Sequence, residues 1–351
     1  MTPSSPTVAE LRELLAEGMP LSERDLSALD LAALSFKDAV LDRVRLAGTT
    51  LTTLTGAVLN GCDLSGARVV NAEKAVFHAC TATGAHFEEA SLEGVSFNES
   101  ALGGASFRGA MIPGGAFIKT DLENASFAGA DLSKADMIDC KVDRTDFTGV
   151  TLERVTLMNS DLRTAIFKDT VFETTILLKS NLAGRDLRGL QFARSQLMDT
   201  DLSGCDLSGC ELTGCNFKGA NLTGAKLKGA RANNALFLGA TLTEASFVDA
   251  KLHQALFVDA KATGADFSGA FLRESVFQRA QCDAARFAKA DLTYADLSHA
   301  DVRAADLRGA NLFRTRLHQT RTLGARIDDD HRAVGDDVDL AAAERFTPPA
   351  R

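Results

Sequence analysis

Cys205, Cys210 and Cys215 are the residues in this chain whose type and spacing most invite chemistry. Thiolates at short fixed intervals are what a zinc or redox site uses. Six histidines, at 78, 86, 253, 299, 318 and 331, add further donors. They fall on different faces or coils of the repeat described below, with no carboxylate–histidine–nucleophile spacing. Gly204 to Gly209 satisfies half of a phosphate-binding loop, but Cys210 and Glu211 follow where Lys and Ser/Thr are required. Asn221-Leu222-Thr223 reads as a glycosylation acceptor only in a secreted protein. These residues predict no catalytic centre, no metal and no cofactor, and therefore a protein that is not an enzyme.

The cysteines share a spacing with everything around them. Counting in fives from Phe77 to Ile327 gives 51 consecutive units without insertion or deletion, and 41 of their centres are Leu or Phe. Two residues before each centre lies a second column, Ala75, Cys80, Ala85 and onward, that is Gly, Ala, Ser, Thr, Cys or Val in 49 of 51 units. Only Arg185 and Leu190 are larger, which predicts a local bulge there or a site. A period of five fits neither a helix nor a strand. The chain must turn after every unit, with the large residue filling an axis and the small one letting the backbone close at the corner. Successive cysteines then sit on different corners, too far apart for a shared metal or a disulfide. Cys62, Cys80, Cys140 and these three take the small inward column and Cys282 a centre, which predicts buried thiols in a reducing compartment.

Units such as Ala130-Asp131-Leu132-Ser133-Lys134 and Ala220-Asn221-Leu222-Thr223-Gly224 resemble the pentapeptide-repeat family over roughly residues 24 to 327. The resemblance implies an all-β fold, a right-handed quadrilateral β-helix with four units per coil and both columns pointing inward. Earlier centres run from Leu26 to Leu51 and from Leu59 to Val69. The junctions Leu51 to Leu59 and Val69 to Phe77 measure eight residues, which predicts two three-residue loops. About 60 units at four per coil give a rod on the order of 70 Å long.

The expected organisation is an N-terminal segment, 1–23, the β-helix, 24–327, and an acidic, partly disordered tail, 328–351. Thr7 followed by Val8, Leu11, Leu14 and Leu15, with Gly18 and Pro20 after, predicts one short helix. It closes the first coil or, alternatively, docks a partner. Leu340 to Phe346 predicts a turn or two of helix in the tail. Met1 to Leu15 has no signal-peptide pattern and no apolar run spans a membrane, so the expected location is cytoplasmic.

Net charge is −9, and seven acids against three arginines from Asp328 onward account for much of it. Up to Ile327 there are 40 acids and 35 bases. Asp121, Asp161 and Asp201 recur on one face with Lys141 among them, a solvated ladder of mixed charge. Mimicry of duplex DNA at a type II topoisomerase (gyrase), which the family resemblance offers as an alternative function, needs on the order of 40 net charges over such a rod. No basic face predicts direct nucleic-acid binding either.

Function then falls to the outward surface. With four units per coil, residues twenty apart stack on one face. The column after the centre through Phe117 reads Ile118, Ile138, Met158, Leu178, Met198, Lys218, Leu238 and Val258, and the column before the centre adds Ile176, Leu236, Leu256 and Val276. An apolar stripe roughly 34 Å long predicts a protein-binding scaffold or adaptor, or self-association. The competing expectation is that Val338, Leu340 and Phe346 of the tail fold back over it. The amino-terminal layout, a short helix and then Pro20-Leu21-Ser22-Glu23-Arg24-Asp25-Leu26, is similar to pentapeptide-repeat proteins associated with bacterial type VI secretion loci. That similarity implies an accessory whose partner is a secretion effector or its chaperone.

Overall fold

Four apolar centres per lap, each followed by a tight turn, build the walls of this molecule. The computed structural model describes residues 6–328 and 332–345. It divides into two compact units, Met1–Asn181 and Leu182–Arg351, and each is a parallel β-solenoid.

One repeat shows why the sequence folds this way. Asp131 donates its N–H to Ala110 O on the lap before, at 2.9 Å, and its own carbonyl accepts the Ile112 N–H at 2.8 Å. Leu132 points inward and is fully buried. Its carbonyl accepts the Ala135 N–H at 2.9 Å, closing a turn whose third residue, Lys134, has φ +59°. Such a turn demands a left-handed residue, hence the recurring Gly two places after the centre. Asp131 Oδ1 accepts the Ser133 N–H at 2.9 Å and steadies the corner. The same bond recurs at Asp201–Ser203, Asp206–Ser208 and Asn221–Thr223, which is the reason Asp and Asn favour the position before the centre.

In the first unit the best-formed wall is an eight-stranded parallel sheet running from Leu21–Ser22 through Val40–Asp42, Val58–Asn60, Val76–His78, Ser96–Asn98, Ala116–Ile118 and Asp136–Ile138 to Thr156–Met158. From Phe77 the pairing advances by twenty residues, Phe77 to Phe97 to Phe117, so four units do complete a lap. The axis is filled by ring stacks, with Phe87–Phe107 and Phe107–Phe127 centroids both 4.7 Å apart, crossed edge-on by rings of the adjoining side. The second unit repeats this through Phe237, Phe257 and Phe277 and through Phe247, Phe267 and Phe287.

The two expected three-residue loops are absent. Leu41 pairs with Leu59, and Leu59 with Phe77, so those laps hold eighteen residues. Leu54 and Ala72, both fully buried, are centres reached by a step of three instead of five. One side of each lap is shortened by two residues, and no segment loops out. Leu21, paired with Leu41 and 2% exposed, is a further centre ahead of Leu26.

Helix α1, Val8–Ala16, begins at Thr7, whose hydroxyl accepts the Glu10 N–H while Glu10 accepts the Thr7 N–H at 2.7 Å. Leu11 is fully buried, and Leu15 and Ala16 share a shallow groove with Ala33 and Leu34. In the second unit Val334 pairs with Arg316 and continues the wall. Helix α2, Val338–Glu344, follows, its N-cap Asp337 accepting the Leu340 N–H at 2.9 Å. Phe346, and with it part of the expected tail helix and its cover over the stripe, lies outside the described residues, as do Asp329, Asp330 and His331.

Candidate functional site

The cysteines that first suggested chemistry serve the corners. All seven are free and buried. Cys205, Cys210 and Cys215 each donate the thiol proton to the carbonyl of the centre one lap earlier, Leu182, Leu187 and Phe192, at 3.0, 3.2 and 2.7 Å. Thr120, Thr145 and Thr175 make the same bond in the first unit. Burial pushes the Cys205 and Cys210 thiols up to about 11 and Cys215 to about 12. They are protonated and unreactive as nucleophiles at neutral pH.

Arg185 and Leu190 depart from their column by standing half-buried where their neighbours are buried. Their turns still close, with Arg185 N–H to Leu182 O and Leu190 N–H to Leu187 O both at 3.2 Å. Burial lowers the Arg185 pKa. The acidic ladder is mixed as expected: Lys141 Nζ lies 3.5 Å from Asp121, and Arg163 pairs with Asp161 at 2.6 Å.

The apolar residues stack as the four-unit lap requires. In the first unit Ile118 is directly opposite Ile138, and Ile138 opposite Met158. Ile176 bridges Thr156, and Leu178 lies beyond it on the same face. In the second unit Leu236 bridges Leu256 and Leu256 bridges Val276, with Leu238 and Val258 on the far side of the same centres. Met198 stands apart from that block, beside Gln196 and Lys218. All eleven are half-buried, because each side chain shades the one a strand spacing away. The tail bonds to His299, His318 and Gln319 of the second unit, and Val338 and Leu340 are 76% and 43% exposed. With that exposure, these two leave the apolar residues of the second unit uncovered.

Sequence counting missed part of this face. Val40, Val58 and Val76 stack in register on the same sheet, just before the centres. Val40 is 41% exposed. The shortened laps put them eighteen residues apart, outside a count in twenties; stepping from one buried centre to the fourth beyond it would have found them. His299 and His318 do stand on different coils, but on successive ones: their rings are 5.4 Å from centroid to centroid, and both face Glu344 of α2. Among the described residues, no helix is long and apolar enough to cross a membrane.

A parallel solenoid of four short sides per lap, with a large centre and a small corner residue in every unit, defines a repeat protein whose outer surface is free to vary. Its sequence matches the family model described as Pentapeptide repeats (8 copies) over residues 73–109, 117–154, 165–204 and 290–321, and that described as Pentapeptide repeat region over residues 210–287. The chain belongs to the pentapeptide repeat proteins. Among solved structures it is similar to HetL, a pentapeptide repeat protein involved in heterocyst differentiation regulation from the cyanobacterium Nostoc sp., at 24% identity and TM-score 0.26, covering 74% of this chain and 96% of that one. Full-length QnrB1, a plasmid-mediated fluoroquinolone resistance protein, is 20% identical with TM-score 0.24, covering 55% and 92%. A pentapeptide repeat protein of the Arabidopsis thaliana thylakoid lumen is 28% identical with TM-score 0.14, covering 34% and 68%. Comparison with curated proteins gives no match.

Proposed function

We propose that this chain is a non-enzymatic protein-binding scaffold that presents apolar faces of its coils to a protein partner. The observation that carries the reading is the stack of Ile118, Ile138 and Met158 at the outer edge of one sheet, half-exposed and in register. The fold does not require apolar residues there. Ser22, Asp42, Asn60, His78 and Asn98 hold the equivalent place on earlier strands of the same sheet. In the second unit, Leu236, Leu238, Leu256, Val258 and Val276 form a block across two columns, the kind of patch that is desolvated on association. Met198 completes the set with less apolar company.

Within this reading, a role beside bacterial type VI secretion effectors rests on the amino-terminal layout alone, a helix followed by residues 20–26. A cytoplasmic setting suits the seven free thiols. Gyrase inhibition by DNA mimicry is disfavoured, because 40 acids against 35 bases up to Ile327 leave too little net charge.

The test replaces Ile138 and Leu178 with Glu in one variant and Leu238 and Val258 in another. Each variant is expected to keep the circular dichroism of the parent, since neither changes an inward residue. Each is also expected to lose partners captured by the parent, or its self-association in sedimentation velocity. Identical partners and identical oligomeric state in both variants would remove the proposal.

A further inference from the structure

Two imidazoles and a carboxylate converge where α2 meets the last coils of the second unit. His318 follows the centre Leu317, and its side chain is 1% exposed. His299 stands on the preceding coil in a left-handed corner, φ +60°. Glu344, the last residue of α2, comes from outside the repeat. Its Oε1 lies 3.2 Å from His299 Nε2 and its Oε2 3.3 Å from His318 Nε2. Ligand atoms from all three residues lie within 4.8 Å of one another. The repeat calls for none of them, since its own pattern ends before α2 begins and a corner of this kind prefers Gly.

We propose that His299, His318 and Glu344 bind one divalent transition-metal ion of the zinc type, which fastens α2 to the end of the coil stack. Two imidazole nitrogens and one carboxylate oxygen are a donor set for Zn²⁺, with a fourth position left for water. Ca²⁺ and Mg²⁺ favour sites built from six or more oxygens, which this cluster does not offer. Bonds near 2.0–2.2 Å in a tetrahedral site put ligand atoms about 3.4 Å apart. Each imidazole lies near that distance from a different oxygen of Glu344, so closing the site on one oxygen draws the three ligand atoms in from their present spread of up to 4.8 Å.

The buried histidine has a carboxylate near its other nitrogen that is not yet bonded to it. Without the ion, His318 Nδ1 accepts the Asp337 N–H at 3.1 Å, so the proton sits on Nε2 and is donated to Glu344. Binding at Nε2 requires that proton to pass through solvent to Nδ1, and the Asp337 N–H to give up its acceptor. Asp336 Oδ1, 3.7 Å from Nδ1 and already accepting the Gln319 N–H at 2.7 Å, is then the acceptor. A carboxylate behind a ligating imidazole is the usual way its ring is oriented.

The experiment uses the full chain, freed of any affinity tag and stripped with chelator. Zn²⁺ is added in a calorimeter, and Co²⁺ is followed by visible absorption. One ion per chain is expected, with affinity falling at least tenfold in His299→Ala and in Glu344→Gln, and roughly tenfold or more in Asp336→Asn. Zn²⁺ is also expected to raise the melting temperature of the parent and to slow amide exchange across 338–344, with neither effect in Glu344→Gln. His299 and Glu344 are partly exposed, so their replacement leaves the coils folded, which circular dichroism checks. The inference is overturned if no one-to-one complex forms at micromolar metal, or if one forms with unchanged affinity in both His299→Ala and Glu344→Gln.

Discussion

The smallest decisive group in this molecule is the residue that turns the corner. Most units have a positive φ two places after their centre, and at many of those without Gly the corner is held by residues such as Lys134, Asn124, Asp199 or even Thr174 at φ +51°. A β-branched residue in that region is strained by contact of its Cβ with the backbone. Thr174→Gly therefore relieves a cost of about 1–2 kcal/mol, from which the greater freedom of glycine in the unfolded chain subtracts roughly 0.5–1 kcal/mol. The variant is expected to be more stable in urea by a few tenths to 1 kcal/mol. A lower midpoint would mean that contacts of the Thr174 side chain outweigh its strain. The small inward column was readable from sequence as small and buried. Its finer logic was not: Thr and Cys are exchangeable there because each gives a proton to a carbonyl one lap back, a partner about twenty residues away that only the fold identifies.

Stacked rings set the energetics at the scale of a single side of the coil. Phe257 lies between Phe237 at 4.9 Å and Phe277 at 4.4 Å, and meets Phe247 and Phe267 edge-on. Phe257→Ala leaves a cavity that the flanking strands cannot close, since their spacing is fixed by the backbone ladder. A loss of roughly 3–5 kcal/mol is expected in denaturant titration. Because each coil contacts only its neighbours, amide exchange should rise most in laps flanking the cavity; uniform loosening of the whole unit would contradict that. The column of centres was legible because it is strictly periodic. The eleven stripe residues were placed on one face by the same count, but their exposure was not readable, since it depends on shading by neighbours and on where α2 settles. The His299, His318 and Glu344 cluster was invisible for a different reason. Its histidines are nineteen residues apart, one off the lap, and its carboxylate follows the end of the repeat.

At the scale of the whole chain, the features that vary are those the repeat leaves free: charge, outward side chains and the two ends. Composition alone, 40 acids against 35 bases up to Ile327, speaks against a polyanion. What composition and period did not reveal was that the lap itself is adjustable. Between Leu41 and Phe77 two successive circuits each dispense with two residues, yet Leu54 and Ala72 still supply the fourth buried anchor and the ladder above and below stays aligned. The perimeter is thus counted in anchors instead of in peptide bonds. Restoring a pair of residues, Gly and Asn, between Thr52 and Thr53 is expected to leave the circular dichroism unchanged and the unfolding midpoint close to that of the parent. A collapse of the amino-terminal coils would show that the short side is obligatory. If it is not, that side is a place where a foreign loop can be carried without disturbing the faces to either side.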